Sequence, residues 1–92
     1  MKHFVLFYEF VDDMVTKRVP YREEHLRLIR EAHARGDLIM AGALGDPPDG
    51  GLFIFRVASP DVAEAFARAD PYVRQDLVTS WKVKPWMVVA GA

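Results

Sequence analysis

His25 is the side chain in this sequence best suited to moving a proton near neutral pH, because a free imidazole titrates at about 6.5. It lies in the stretch Pro20–Arg35. Wound at about 3.6 residues per turn, that stretch gathers Tyr21, Leu28, Ile29 and Ala32 on one side. Glu23, Glu24, Arg27, Arg30, Glu31 and Arg35 fall on the other. His25 sits in the apolar side, so its imidazole faces the interior. A lone histidine there is most often a neutral core residue with both nitrogens hydrogen-bonded; the alternative is an acid–base group. The chain has no cysteine, which removes disulfides, thiolate metal sites and a thiol nucleophile together. Ser59 reads as a helix cap and Ser80 as the start of a strand, so hydrolysis through a covalent serine intermediate is not expected. His25 and His33 are too far apart for helix-turn metal ligation and His3 is on a strand, so no metal and no cofactor are expected.

The elements that must position His25 follow from periodicity. His3–Phe10 is aromatic and β-branched with almost no polar interruption, as in a central strand covered on both faces. Met14–Val19 is a short helical turn or a loop. Pro20 opens the helix and Gly36 closes it in the left-handed conformation. Leu38–Leu44 reads as a second strand in which Gly42 marks a bulge or a close backbone approach. Gly45–Gly51 is a Gly/Pro turn with no following Lys-Ser/Thr, so it is not a phosphate loop. Leu52–Val57 is the third strand, in a hairpin with the second. Ser59-Pro60-Asp61 starts a second helix that Asp70-Pro71 ends. Tyr72–Thr79 is a connector with room for one more turn, and Ser80–Val89 is the last strand, where Pro85 points to an edge position or a bulge near its end.

This β-α-β-β-α-β order predicts an α+β, ferredoxin-like fold, a four-stranded antiparallel sheet with two helices on one face. With 92 residues, 51% of them hydrophobic, the chain (1–92) is expected to be a single domain with one small core. Tyr8, Phe53, Phe55, Trp81 and Trp86 are too bulky for all to hide beneath two short helices. Some are expected on the open sheet face, where a second copy would cover them, so a homodimer through that face is expected. Twelve basic and thirteen acidic residues are interleaved for a net charge of −1, without the basic stripe of a nucleic-acid binder. The longest uncharged run is far below the roughly 20 residues of a membrane span. No targeting segment is visible either, so a soluble cytoplasmic protein is expected.

Four blocks in order, Arg22-Glu23-Glu24-His25-Leu26, Gly36-Asp37-Leu38-Ile39-Met40-Ala41-Gly42, Ala69-Asp70-Pro71-Tyr72-Val73 and Val83-Lys84-Pro85-Trp86, resemble the YciI-like (YCII-related) family across nearly the whole chain. The resemblance implies a dimeric α+β barrel of the ferredoxin-like kind. It also implies an acid–base pair that falls on His25 and Asp70, with lyase-type elimination on ring substrates proposed for some relatives. The hairpin loop is shorter here than in typical members, which bears on substrate preference if the loop covers the pocket.

A carboxylate bonded to one imidazole nitrogen makes the other a better base. Without a nucleophile, such a pair suits proton abstraction, isomerisation or elimination. By itself Asp70 is ordinary turn chemistry before a proline. Arg22 shares the inner flank of the helix with His25, either to hold an anionic substrate or to form a surface ion pair. Tyr72 offers its hydroxyl to the same pocket or simply packs. The expected function is therefore a small cofactor-independent lyase or isomerase acting on a small organic, ring-like molecule. The alternative is a non-catalytic dimeric domain that binds a metabolite or assists another enzyme. If both helices run in the same direction, His25 and Asp70 stand about 15 Å apart. They then meet only through a displaced first helix, an earlier helix start, or the partner chain.

Overall fold

The structure, a computed structural model, describes residues 1–91. Strand β1 (Lys2–Phe10) has two apolar faces because its side chains alternate between sheet faces and Phe4–Tyr8 are all hydrophobic. Strands β2 (Leu38–Leu44), β3 (Gly50–Val57) and β4 (Val78–Trp86) complete an antiparallel sheet in the order β2-β3-β1-β4. Phe4 stands between Phe55 and Pro85, Leu6 between Phe53 and Val83, and Tyr8 between Gly51 and Trp81. That row, capped by Ala32, Ala63, Phe66 and Ala67 from the helices, is the core. The arrangement is ferredoxin-like, as the element order predicts.

Helices α2 (Arg22–Ala34) and α3 (Asp61–Ala69) connect the strands across this face. Their directions follow from the sheet. Both β1 and β2 run antiparallel to β3 and so parallel to each other, and α2 must run back between them. The same reasoning sets α3 antiparallel to β3. Because β1 and β3 are opposed, α2 and α3 are opposed too. The parallel-helix expectation is thus incorrect, and with it the separation of His25 from Asp70. The beginning of α2 and the end of α3 lie at one end of the sheet, where β1 ends and β4 begins.

Three further details refine the sequence reading. The helical path starts before Pro20: α1 (Met14–Lys17) and a 3-10 turn (Val19–Tyr21) lead directly into α2. Gly36 follows α2 at φ +85°, and Ser59 Oγ accepts from the Asp61 amide at 3.1 Å just ahead of α3, whose N-cap position is Pro60. Asp70 begins one more turn, α4 (Pro71–Arg74), and β4 ends at Trp86 rather than Val89.

Packing narrows one expectation and overturns another. Tyr8, Phe53 and Phe55 are all buried under the helices, and Trp81 is half-buried against the same core. Of the five large aromatics only Trp86 reaches the open face, which is otherwise lined by Val5, Phe7, Leu52 and Ile54. The residues that alternate with the core row, not the bulkiest ones, supply that surface. Gly42 is neither a bulge nor a close approach: a Cβ there would meet nothing within 4 Å. The register shift lies between Leu38 and Met40. The close approach is at Gly50, where a Cβ would stand 2.8 Å from the Tyr8 carbonyl oxygen. Among the described residues no helix is long and apolar enough to cross a membrane.

Candidate functional site

Asp70 is wholly buried, and a buried carboxylate is tolerable only when its oxygens are satisfied. It closes α3 in an extended conformation (φ −70°, ψ 125°) and serves as N-cap of α4. Its Oδ1 accepts from the Tyr72 amide at 3.0 Å. Its Oδ2 accepts from Tyr8 Oη at 2.8 Å. His25 Nδ1 lies 2.9 Å from Oδ1 and 2.8 Å from Oδ2. The turn chemistry expected of an Asp-Pro pair is therefore real, and it also fixes the carboxylate plane that faces the imidazole.

The protonation pattern follows from the donors. A carboxylate that already accepts from a phenol and an amide can only accept again, which assigns the proton to His25 Nδ1. The Nε2 lone pair is then left free. His25 comes from the first turns of α2 and is 7% exposed. Tyr72 stacks on it, with ring centroids 3.8 Å apart and planes at 10°. Phe53 meets its edge at 6.2 Å. Wedged between two aromatic rings and anchored at Nδ1, the imidazole has one orientation.

The imidazole lines a cavity of about 320 Å³ together with Arg18, Arg22, Phe10, Phe53 and Tyr72. Pro48 of the hairpin loop also lines it, so the loop does border the pocket. Arg22 reaches this cavity, and among the described residues it makes no ion pair. The surface salt bridge on α2 belongs instead to Arg27, which binds Glu24 and Glu31. Tyr72 both packs and contributes a polar atom: its Oη is enclosed without a hydrogen-bond partner. Burial pushes the Tyr72 phenol pKa up, against the opposing pull of Arg18 and Arg22. Tyr8 is held neutral more firmly, by burial first and then by the charge of Asp70 and the bond to it.

His25, Asp70, Tyr72 and Arg22 thus meet at one place within a single chain. Two residues of the site were missed in the sequence. Tyr8 is hidden by the uniform apolarity of β1, although a phenol on a buried strand face always needs a partner, and that need was the available signal. Arg18 was obscured by Pro20. Its spacing, four before Arg22 and seven before His25, becomes visible once the helical path begins at Met14.

Solved structures of similar fold are known. A solved structure of 5-chloro-2-hydroxyhydroquinone dehydrochlorinase from Burkholderia phenoliruptrix AC1100, in complex with 2,5-dihydroxybenzoquinone, superposes with a TM-score of 0.76. It is 18% identical and the match covers 92% of this chain and 93% of that one. The crystal structure of protein Atu4242 from Agrobacterium tumefaciens matches with a TM-score of 0.59 at 19% identity, over 95% of this chain and 92% of that one. These likenesses are of fold. In sequence, protein YciI of Escherichia coli O6:H1 and that of Shigella flexneri are each 30% identical over 95 residues, covering 94% of this chain and 97% of the relative. The YCII-related domain matches residues 1–87, a span that contains every residue of the site, and the chain therefore belongs to the YCII-related family.

Proposed function

We propose that this protein is a small acid–base enzyme of the lyase or isomerase type. His25 Nε2 takes a proton from a small ring-like substrate, and Asp70 holds the imidazole and balances the charge it gains. Arg22 and Tyr72 place the substrate. The observation that carries this reading is the buried Asp70–His25 pair with its open nitrogen on a cavity. A core histidine with both nitrogens satisfied would not leave one free beside empty space. With no thiol in the chain and no serine at this cavity, the chemistry open to these residues is proton transfer, with expulsion of a leaving group where the substrate carries one. A protein of similar fold is a 5-chloro-2-hydroxyhydroquinone dehydrochlorinase, which makes halogenated hydroxyquinols the first compounds to screen. The active unit we propose is a homodimer formed through the open sheet face, with the two sites facing outward.

The test is chloride release, or solvent-deuterium exchange at the substrate carbon, in wild type and His25→Gln. The glutamine amide can still donate to Asp70, so the fold is kept while the base is lost. Activity is expected to fall by about a hundredfold or more. Unchanged turnover in His25→Gln would show that the base lies elsewhere. Saturable binding with no turnover or exchange would move the protein to the alternative class, a metabolite-binding domain.

A further inference from the structure

The path into α2 brings a second guanidinium to the cavity. Arg18 lies between α1 and the 3-10 turn, half-buried, and lines the same wall as Arg22, His25 and Tyr72. Two polar atoms here are enclosed without a hydrogen bond of good geometry, Arg18 Nε and Tyr72 Oη, the latter with only the Arg22 guanidinium close enough to act on it. Leaving a buried donor unsatisfied costs about 1–3 kcal/mol, and more for a charged one, so an acceptor belongs here. No carboxylate among the described residues pairs with Arg18 or Arg22. Among the described residues no acidic one lines the cavity. The two guanidiniums therefore outweigh the single Asp70 carboxylate behind His25, and the site carries one positive charge in excess. The remaining wall is apolar, with Phe10, Phe53, Ile29 and Pro48 among its members.

We propose that the cavity recognises a small monocarboxylate of about single-ring size, its carboxylate held by Arg18, Arg22 and Tyr72 Oη and its hydrocarbon body laid against Phe10 and Phe53. One negative charge neutralises the site, whereas a phosphate dianion overshoots it. The fork of guanidinium N–H groups matches the two oxygens of a carboxylate better than the single oxygen of a phenolate. A carboxylate fixed at the arginines directs the rest of the ring toward His25 Nε2. The proposal rests on reading this cavity as the substrate site and names the substrate's class. It needs binding only, so it stands or falls separately from turnover.

Benzoate is the probe, followed by calorimetry and by amide shifts of His25 and Tyr72, beside benzamide, phenolate and phenyl phosphate. Benzoate is expected to saturate the site and to bind about tenfold or more tightly than benzamide, with a loss of similar size in Arg18→Gln. Added salt weakens it. The free Arg18→Gln protein is expected to be at least as stable as wild type, since it sheds an enclosed donor that has no partner. Equal binding of benzoate and benzamide, benzoate affinity unmoved in Arg18→Gln, or no benzoate binding at all would overturn the proposal. Tighter binding of phenolate or of phenyl phosphate than of benzoate would also overturn it. Benzoate binding with no turnover or solvent-deuterium exchange on any ring compound, hydroxyquinol or ring acid, would leave this inference standing and remove the catalytic reading alone.

Discussion

Asp70 concentrates the energetics of the site in one carboxylate. Each of its donors comes from a different element: Tyr8 from β1, His25 from α2 and the Tyr72 amide from α4. Removing any one of them leaves charge density uncompensated in a dry place, so such changes are felt as stability and as geometry at once. Tyr8 makes this measurable without a substrate. Its phenol pKa is raised above the ordinary 10, chiefly by burial and then by the Asp70 charge and hydrogen bond. Folded chains therefore keep a proton that unfolded chains release above about pH 10. With fewer protons on the unfolded state, stability falls as pH rises. The contribution is whole below the unfolded pKa and lost above it, at up to about 1.4 kcal/mol per pH unit for a single group. Urea unfolding between about pH 9 and 11 should show this decline in wild type and a flatter limb in Tyr8→Phe. That variant is also expected to be less stable by about 1–3 kcal/mol near neutrality, where Asp70 has lost a donor. An equally steep limb in Tyr8→Phe would assign the alkaline loss to other groups. Asp70→Ala tests the tautomer directly. Nitrogen-15 NMR of wild type above its histidine titration should find the proton on His25 Nδ1, and the variant should shift population to Nε2. The same tautomer in both would mean that Asp70 does not set it.

At the level of elements, the site exists because two antiparallel crossover helices bring opposite ends to one edge of the core. Hydrophobic periodicity made the strands and both helices legible, and Gly36, Ser59 and Asp70-Pro71 marked their ends because capping chemistry is local. Direction is not local. It follows from strand order, and only with β1 between β3 and β4 does the start of α2 meet the end of α3. His25 and Arg22 could be placed on a helix flank from spacing alone, while their meeting with Asp70 and Tyr72 needed that topology. Tyr8 and Arg18 stayed hidden for separate reasons, one inside an unbroken apolar strand and one ahead of a proline that reads as a helix start. Glycines show the same limit. Gly42, inside a strand pattern, looks constrained, yet space beside it is open; Gly50, in a turn cluster, looks merely permissive, yet it lies against the Tyr8 backbone. Gly50→Ala is therefore expected to cost about 1–3 kcal/mol in denaturant unfolding, since backbone must give way. Gly42→Ala should change stability by no more than about 0.5 kcal/mol. The reverse ranking would show that β3 can shift away from β1 more easily than this packing allows.

For the molecule as a whole, the helices complete only one side of the sheet. The other side presents Val5, Phe7, Leu52 and Ile54 around a shallow hollow, with Trp86 at 44% exposure beside it. Met40, at 63%, extends the apolar surface on β2. On the opposite edge strand Lys84 stands beside Val5 and Lys82 beside Phe7, and the Lys82 ammonium lies 5.6 Å from the Phe7 ring. Their stems extend the apolar surface while their charges keep to the rim. A small chain that leaves such a face in water forgoes much of the burial available to it. Two sheets stacked about 10 Å apart would recover that burial. A net charge of only −1 sets little repulsion against association. The His25–Asp70 cavity lies under the helices, on the far side of the sheet, so dimer formation and site geometry are separable. Sedimentation velocity of wild type is therefore expected to give about twice the chain mass. Ile54→Glu, a charge set in the middle of the face, should give a monomer of 10.5 kDa whose His25 Nδ1–H signal is unchanged. Its thermal midpoint should be lower and, unlike that of wild type, independent of concentration. A monomeric wild type would leave this face bare in solution and end the homodimer proposal. A variant that stays dimeric would place the interface on some other surface.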